Sequence, residues 1–547
     1  MGLRRGRKSL CVIVHRCAVV GLIAVPAALF PAEHPAEAAT ADTQTRSISP
    51  VRGIRRDPAM NQANTPLYRY LPSDYSDGSD DMAGPQRASA REISNLVFAQ
   101  TTSRPNDVRA TDFVWQWGQF LDHDLDLTDG TSPPEPYPIP VPTGDPFFDP
   151  ASTGVASIGF NRSVHEHDDT GTRQQVNEIT GWIDASQVYG SDEIRRDALR
   201  SHDGSGRLLV SEGNLLPYNI PRLPNAGGDS ADLFLAGDVR ANEQVGLTAM
   251  HTLFVREHNR IADRLRRAHP EATGDEIYRR SRRLVIAELQ HITYSEFLPV
   301  LLGREALPRY RGYKASVDAR IMNSFSTAAY RFGHSMLNST LLRVDKQLQP
   351  IGAGHLELAD AFFAPEEIEA YGIDPMLRGL AIQAAQDVDT FVVDAVRNFL
   401  FGPPGAGGFD LVALNIQRGR DHGLPSYNQA RRYMGMPQAT DFRDITSDVV
   451  VIDRLQSAYA SVEDVDFWVG GLAEQRHPGS MLGRLFHRLV RKQFRLLRDG
   501  DPNWYQNILN RQERRQVEAL RLADIIRLNT EIRDELPDDV FRLPRQR

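Results

Sequence analysis

The stretch FVWQWGQFLDHDLDLTD, Phe113 to Asp129, decides the fold. Trp115, Gln119 and His123 recur four apart, the interval that places side chains on one face of a helix. Asp122 and Asp124 flank His123 and are expected to point elsewhere. A histidine between two aspartates, in a segment this apolar and aromatic, is costly to bury unless each polar group finds a partner. Taken alone it reads as a capped or surface-lying histidine on a core helix. Four other segments of the chain offer the missing partners.

The chain has 547 residues, 41% hydrophobic and 24% charged, the composition of a soluble globular protein. Its net charge of −8 argues against a nucleic-acid footprint. The start is not part of the fold. Arg4, Arg5, Arg7 and Lys8 precede an apolar run from Ala18 to Phe30, and Ala36-Glu37-Ala38 is a small-x-small cleavage site. Residues 1–38 therefore read as a secretory signal, too short for a membrane span, with the Arg4-Arg5 pair open to a twin-arginine route. They carry five basic and two acidic side chains, so their removal takes the charge from −8 to −11. The expectation is a secreted or periplasmic protein without stable membrane association. Cys11 and Cys17, the only cysteines, lie inside the signal. The processed chain would have no disulfide and no thiolate to offer a metal.

Residues 39–86 read as an N-terminal arm or linker, polar and irregular from Thr40 to Thr65. From Arg87 to Arg547 the pattern is mainly α-helical, one large unit. Pro133 to Pro146 is a proline-rich surface loop, with a proline-recognition motif as the functional alternative. Leu247 to Ala268 has helical periodicity, and Thr273-x-x-Glu276 is a capping box opening a helix that runs through Leu289. Arg279, Arg280, Arg282 and Arg283 read as its solvated face. Pro403 to Gly408 is a loop, and neither repeats nor a nucleotide-binding glycine fingerprint stand out.

Thr180, Trp182, Asp184 and Ser186 alternate in ITGWIDASQVYGS. In an extended loop such oxygens can curl round one cation, and with Asp124 the set suits calcium; an ordinary Asx or Ser turn is the alternative. In LAGDVRANEQ, Arg240 and Glu243 would be neighbours on a helix. In FSTAAYRFGHS, Gly333 removes bulk beside His334, which would let a flat ring approach. DLVALNIQRGRDHGLPSYN carries Asn415, Arg418, Arg420, Asp421 and His422, and arginines in such a stretch can bind carboxylates bidentately.

Together these segments strongly resemble the animal heme peroxidase family, the peroxidasin, myeloperoxidase and lactoperoxidase group. The match runs from about Arg87 to Tyr505 and includes SAREISN, REHNR, ITYSEFLP, DVDFWVGGL and LRDGDPNWY. The cysteine-free processed chain fits a bacterial relative. The resemblance implies a mainly α-helical peroxidase fold, a single large domain around one heme b. It implies His123 as distal histidine, Gln119 as distal glutamine and Arg240 as distal arginine. His334 falls at the proximal iron ligand and Asn415 at its hydrogen-bonding partner. Asp122 and Glu243 match the carboxylates that form ester links to the heme, and Arg331 and Arg418 fall where arginines meet the propionates. Asp124, Thr180, Trp182, Asp184 and Ser186 match the calcium site. The implied activity reduces hydrogen peroxide to water through a ferryl porphyrin-radical intermediate, with halide, thiocyanate or phenolic reductants.

Gln244 departs from the myeloperoxidase branch, where a nearby methionine makes a sulfonium link. Bromide, iodide and thiocyanate are therefore expected over chloride. Three other classes compete. Fatty-acid dioxygenases and cyclooxygenases share the fold but place a radical tyrosine three residues before the proximal histidine, where this chain has Arg331. The others are a non-catalytic peroxidase-like adhesion protein and a non-heme metal enzyme.

Overall fold

The computed structural model describes residues 60–545, which fall in one compact unit. The signal and the first part of the arm, residues 1–59, lie outside the described residues. No helix among those described is long and apolar enough to cross a membrane.

Helices dominate, and their ends follow local chemistry. Helix α1 (Ala90–Phe98) starts where the Ser89 hydroxyl accepts from the Glu92 amide. Helix α2 (Phe113–Leu125) carries Trp115, Gln119, Asp122, His123 and Asp124. Helix α3 (Ser186–Tyr189) is one turn that closes the Thr180–Ser186 loop. Helix α4 (Val245–Ala268) begins on Gln244, whose side chain accepts from the Gly246 amide. Helix α5 (Gly274–Ile292) carries the expected capping box between Thr273 and Glu276 and runs three residues past Leu289. Helix α6 (Leu411–Asp421) is capped by Asp410 and carries Asn415 and Arg418. Strands are short: β1 (Thr65–Pro66), β2 (Ile139–Pro140), β3 (Ser157–Ile158), β4 (His165–His167) and β5 (Arg173–Asn177), with the antiparallel order β1-β5-β4 in the largest sheet. Ile139–Pro140 pairs with β3 alone, an edge position that tolerates proline.

The core around α2 is aromatic. Trp117 is fully buried and meets Phe120, Phe254 and Phe541 edge-on, with ring centroids 6.1, 5.9 and 6.0 Å away. This packing fixes the apolar side of α2 against α4 and turns its other side inward to a cavity.

Two expectations change. The segment from Met60 to Gln86, assigned to the arm, packs into the body: Leu67, Leu71, Tyr75, Met82 and Ala83 are buried. Asn61 bridges to Ala319 and Ile321, and the Met60 carbonyl accepts from the Trp182 indole. Its apolar residues are too sparse for helical periodicity, so the sequence pattern does not reveal their burial. Arg240 and Glu243 are not on a helix; the Glu243 amide donates to the Arg240 carbonyl in a turn ahead of α4.

Trp117→Ala is expected to destabilise the protein by about 3–5 kcal/mol, because it removes the largest buried ring of this cluster. Denaturant unfolding checks this, and a loss under about 1 kcal/mol would contradict the packing account.

Candidate active site

His123 and His334 line one cavity of about 410 Å³. Trp115, Gln119, Asp122, Arg240, Glu243, Gln244, Arg331, Gly333, Asn415 and Arg418 share its wall. The four-residue repeat on α2 thus delivers its three side chains to one space. Asp122 also lines the cavity rather than pointing elsewhere. Only Asp124 turns away.

His334 sits in a 3₁₀ segment, Ala329–Ser335. Its Nδ1 lies 2.7 Å from the Asn415 amide nitrogen, while the Asn415 carbonyl oxygen accepts from Arg331 Nη1 at 3.1 Å. As placed, the Asn415 amide donates to the ring rather than accepting from it. A half-turn of the amide exchanges the two roles and releases Arg331. Burial, with the Arg331 charge second, pushes the His334 imidazole down to about 3, so the ring is neutral, the form that binds metal. At Gly333 an added Cβ would find only Trp115 Cβ, at 3.9 Å, so the glycine is not required by protein neighbours and its bare face borders the cavity.

On the α2 side, His123 Nδ1 lies 3.4 Å from Asp238 Oδ1 and has no hydrogen-bond partner among the described residues, which leaves Nε2 for the cavity. Arg240 is gripped by Asp238: Oδ1 accepts from its Nε at 2.8 Å and from its amide at 2.9 Å, and Oδ2 accepts from Nη2 at 2.9 Å. Burial opposes both charges, but each stabilises the other, so the Arg240 pKa rises and the Asp238 pKa falls well below the usual carboxylate range. Asp122 Oδ2 is 3.9 Å from Arg240 Nη1, and burial followed by the Asp126 charge raises its carboxyl. Glu243 is pushed up to about 7 by burial, and its Oε2 accepts from the Gln119 amide at 3.2 Å. Gln119 Oε1 accepts from Gln244 Nε2 at 3.1 Å, so both ends of the amide are engaged with protein. Gln244 also donates to Gln116 at 2.7 Å.

Arg331 and Arg418 border the same space. Neither is fully neutralised: Arg331 makes no ion pair with a carboxylate among the described residues, and Arg418 bonds Ser163 Oγ at 2.7 Å and Asp421 at 3.1 Å. Burial lowers both, Arg418 to about 10. Two such guanidiniums facing a cavity, one neutral histidine on its wall and carboxyls raised by burial form a donor set suited to an anionic, iron-bearing macrocycle. Asp421 and His422, carried by the same sequence segment, play another part. Asp421 pairs with Arg162, and His422 is buried between Ser163 Oγ and Thr327 Oγ1.

Asp124 faces the Thr180–Ser186 loop. Its carboxylate accepts from the Ser186 hydroxyl at 2.7 Å and from the Ser186 and Ala185 amides at 2.5 and 3.0 Å. Asp184 Oδ1 accepts from the Thr180 hydroxyl at 3.1 Å and the Ser186 amide at 3.2 Å. Ala185 adopts φ of 62°, which folds the loop back on itself. Burial, then the Asp184 charge, raises the Asp124 carboxyl well above its ordinary value. Two carboxylates, two hydroxyls and loop carbonyls are hard donors that fit calcium. No cluster of three or more His, Cys, Asp or Glu able to hold a metal occurs among the described residues.

The model of the family described as animal haem peroxidase matches residues 46–541. This chain belongs to that family. Peroxinectin A of Dictyostelium discoideum is 37% identical over 475 residues, covering 83% of this chain and 87% of the relative. Mouse myeloperoxidase is 34% identical, covering 91% of this chain and 76% of that protein. Peroxidasin of Drosophila melanogaster is 34% identical over 91% of this chain, which spans 36% of that longer protein. The solved structure of peroxidase A from D. discoideum superposes with a TM-score of 0.83 at 34% identity, over 89% of this chain and 97% of that one. Fatty acid alpha-dioxygenase from Oryza sativa reaches 0.71 at 22% identity, over 86% of this chain and 82% of that one, which shows a shared fold. The chain is therefore a heme-dependent peroxidase in which family membership implies heme and, typically, calcium.

Asp238 is the residue that sequence reasoning missed. It stands in the LAGDVRANEQ segment, and its place two residues before Arg240 was the available signal. Asp126, four residues after Asp122, also lines the cavity. Tyr330 does too, with its hydroxyl buried and unpartnered among the described residues.

In heme-free protein the Glu243 carboxyl is expected to lose its proton near pH 7. Difference infrared spectroscopy checks this: a protonated C=O band that fades as pH rises through 7 and is missing in Glu243→Gln is the expected result. A Glu243 already ionised at about pH 5, near the ordinary carboxyl range, would contradict it.

Proposed function

We propose that the protein is an exported peroxidase that reduces hydrogen peroxide to water and oxidises bromide, iodide, thiocyanate or phenols. The observation that carries this is the convergence of His123, Arg240 and His334 on one cavity. His334 is the proximal ligand and Asn415 orients its ring. Arg331 and Arg418 hold the propionates, and Asp122 and Glu243 are the carboxyls that form ester links. Bound heme supplies the two electrons that reduce peroxide and recovers them from the reductant.

The chain's own groups then handle the proton. His123 Nε2 takes it from one peroxide oxygen and returns it to the other, which leaves as water. The electron pair of the O–O bond goes to the departing oxygen, and Arg240 stabilises that charge as it develops. Gln119, tied to Glu243 and Gln244, borders the path to this point. Gln244 cannot make a sulfonium link, so the oxidising power is set for bromide, iodide and thiocyanate rather than chloride. Steady-state turnover with peroxide and a panel of halides, thiocyanate and a phenol tests the reading. Turnover of bromide, iodide or thiocyanate well above chloride is expected; chloride turnover equal to bromide would contradict it. Oxygen uptake with a polyunsaturated fatty acid in place of peroxidase turnover would favour the dioxygenase class.

Asn415→Asp is expected to lower the reduction potential of bound heme, because a carboxylate draws more proton density from the ring and makes the ligand more basic. A potentiometric titration that finds the potential unchanged would contradict this role.

Calcium is held by Asp124, Asp184, Thr180, Ser186 and the Trp182 carbonyl, in our reading. Asp124 has a raised pKa in the folded protein. A raised acid contributes stability below about pH 4 that is lost as pH climbs toward the folded value. In chelator this carboxyl therefore contributes a loss of stability as pH rises above about 4, whereas calcium binds the ionised pair and opposes that contribution. The rise in melting temperature caused by calcium is expected to grow from about pH 4 to about pH 7, with peroxidase activity falling on removal of the ion. Activity that survives complete calcium removal would defeat the assignment.

A further inference from the structure

We infer that Asp238 is a positioning residue that sets both the His123 ring and the Arg240 guanidinium from a single carboxylate. The inference rests on the peroxidase reading and deepens it. The Asp238 side chain is 2% exposed, and its Oδ1 is shared: it accepts from the Arg240 amide and Nε, and it lies 3.4 Å from His123 Nδ1. His123 Nδ1 is buried with no hydrogen-bond partner among the described residues, and this carboxylate is the anion it faces. A proton kept at Nδ1 by the neighbouring carboxylate leaves the Nε2 lone pair toward the cavity, the tautomer that proton uptake there requires. The second oxygen holds Arg240 Nη2 at 2.9 Å, so the guanidinium cannot swing without breaking a two-pronged pair.

The backbone beneath Asp238 is held as firmly as its side chain. The Asp238 amide donates to the Gln187 carbonyl at 3.2 Å, on α3. At Gly237, an added Cβ would collide with the Ser186 carbonyl oxygen and lie 2.6 Å from the amide nitrogens of Tyr189 and Gly190. Only glycine lets the strap press on α3 this closely. The same turn bonds back to α2: Ser186 donates to Asp124, the residue after His123, and Gln187 Nε2 donates to the Phe120 carbonyl at 3.3 Å. The connections form a ring from His123 through Asp124, Ser186, Gln187 and Asp238 back to His123. Asp238 closes it. The calcium loop and the peroxide-handling pair therefore share one framework, and the carboxylate converts its rigidity into the aim of two side chains.

The test uses the heme-loaded full chain and compares wild type with Asp238→Asn and Gly237→Ala. The amide of the D238N variant keeps the shape and one acceptor oxygen but gives up the charge and the second grip on Arg240. Heme content and melting temperature report folding. The rate constant for a single reaction with hydrogen peroxide, the cyanide dissociation constant from the Soret shift and the KM for iodide report positioning. We expect D238N to keep its heme and its KM for iodide, to lose about 100-fold in the peroxide rate constant and to bind cyanide about 10-fold more weakly. G237A keeps the carboxylate but shifts it, and is expected to lose peroxide reactivity in the same direction; it serves as the deciding variant should D238N not hold heme. A D238N or G237A protein with wild-type peroxide rate and cyanide affinity per heme overturns the inference. A wild-type holoprotein that does not react with peroxide overturns the peroxidase reading instead, before any variant is compared.

Discussion

Three consecutive side chains of α2, two of them buried and Asp122 half-buried, leave the helix in two different directions, and the rest of the site exists to make that arrangement tolerable. Asp122 and His123 enter the cavity, while Asp124 enters the loop at Thr180–Ser186. Uncompensated, charges at this depth would each cost several kcal/mol. Each is met instead. Arg240 approaches Asp122, Asp238 faces His123, and Ser186 with the Ala185 amide satisfies Asp124. The aromatic packing of Trp117 and Phe120 on α4 fixes the rotation of α2 that this arrangement requires.

The consequence for chemistry is division of labour between two walls. One wall presents a neutral imidazole whose second nitrogen is engaged by Asn415. The other presents a guanidinium gripped by Asp238 and an imidazole whose Nδ1 lies 3.4 Å from the same carboxylate. A site of this kind can ligate a metal from below and move a proton above without either histidine competing for the other's task. The raised carboxyls of Asp122 and Glu243 fit the same logic: neutral acids are tolerated in the cavity wall until a partner makes their ionised or esterified form the more stable one. The fatty acid alpha-dioxygenase likeness shows that this helical frame supports more than one chemistry. The choice rests with the side chains, here Arg331 three residues before His334 and Tyr330 one further away.

Much of this was legible in the sequence because it depends on local spacing. The helix at Phe113–Leu125, the capping box at Thr273 and the convergence of Trp115, Gln119 and His123 all follow from periodicity or neighbouring residue types. The mainly helical class and the family follow from several long motifs in one order. What escaped depends on contacts distant in sequence. Asp238 looks like a turn residue until the chain brings it to His123, 115 positions away. The burial of residues 60–86 leaves no periodic trace. Arg240 and Glu243, which would be neighbours on a helix, meet in a turn instead, where the Glu243 amide donates to the Arg240 carbonyl. The direction of the Asn415 amide depends on Arg331, which no spacing rule connects to it.

The central claim is that one imidazole anchors the iron from below while the α2 side does the work. The most direct measurement is the visible absorption and resonance Raman spectrum of purified, heme-supplied wild type beside His334→Ala. Wild type is predicted to show a heme spectrum with an iron–histidine stretch that disappears in the variant and returns when imidazole is added. A colourless wild-type protein, or iron ligation unchanged in His334→Ala, would contradict the account.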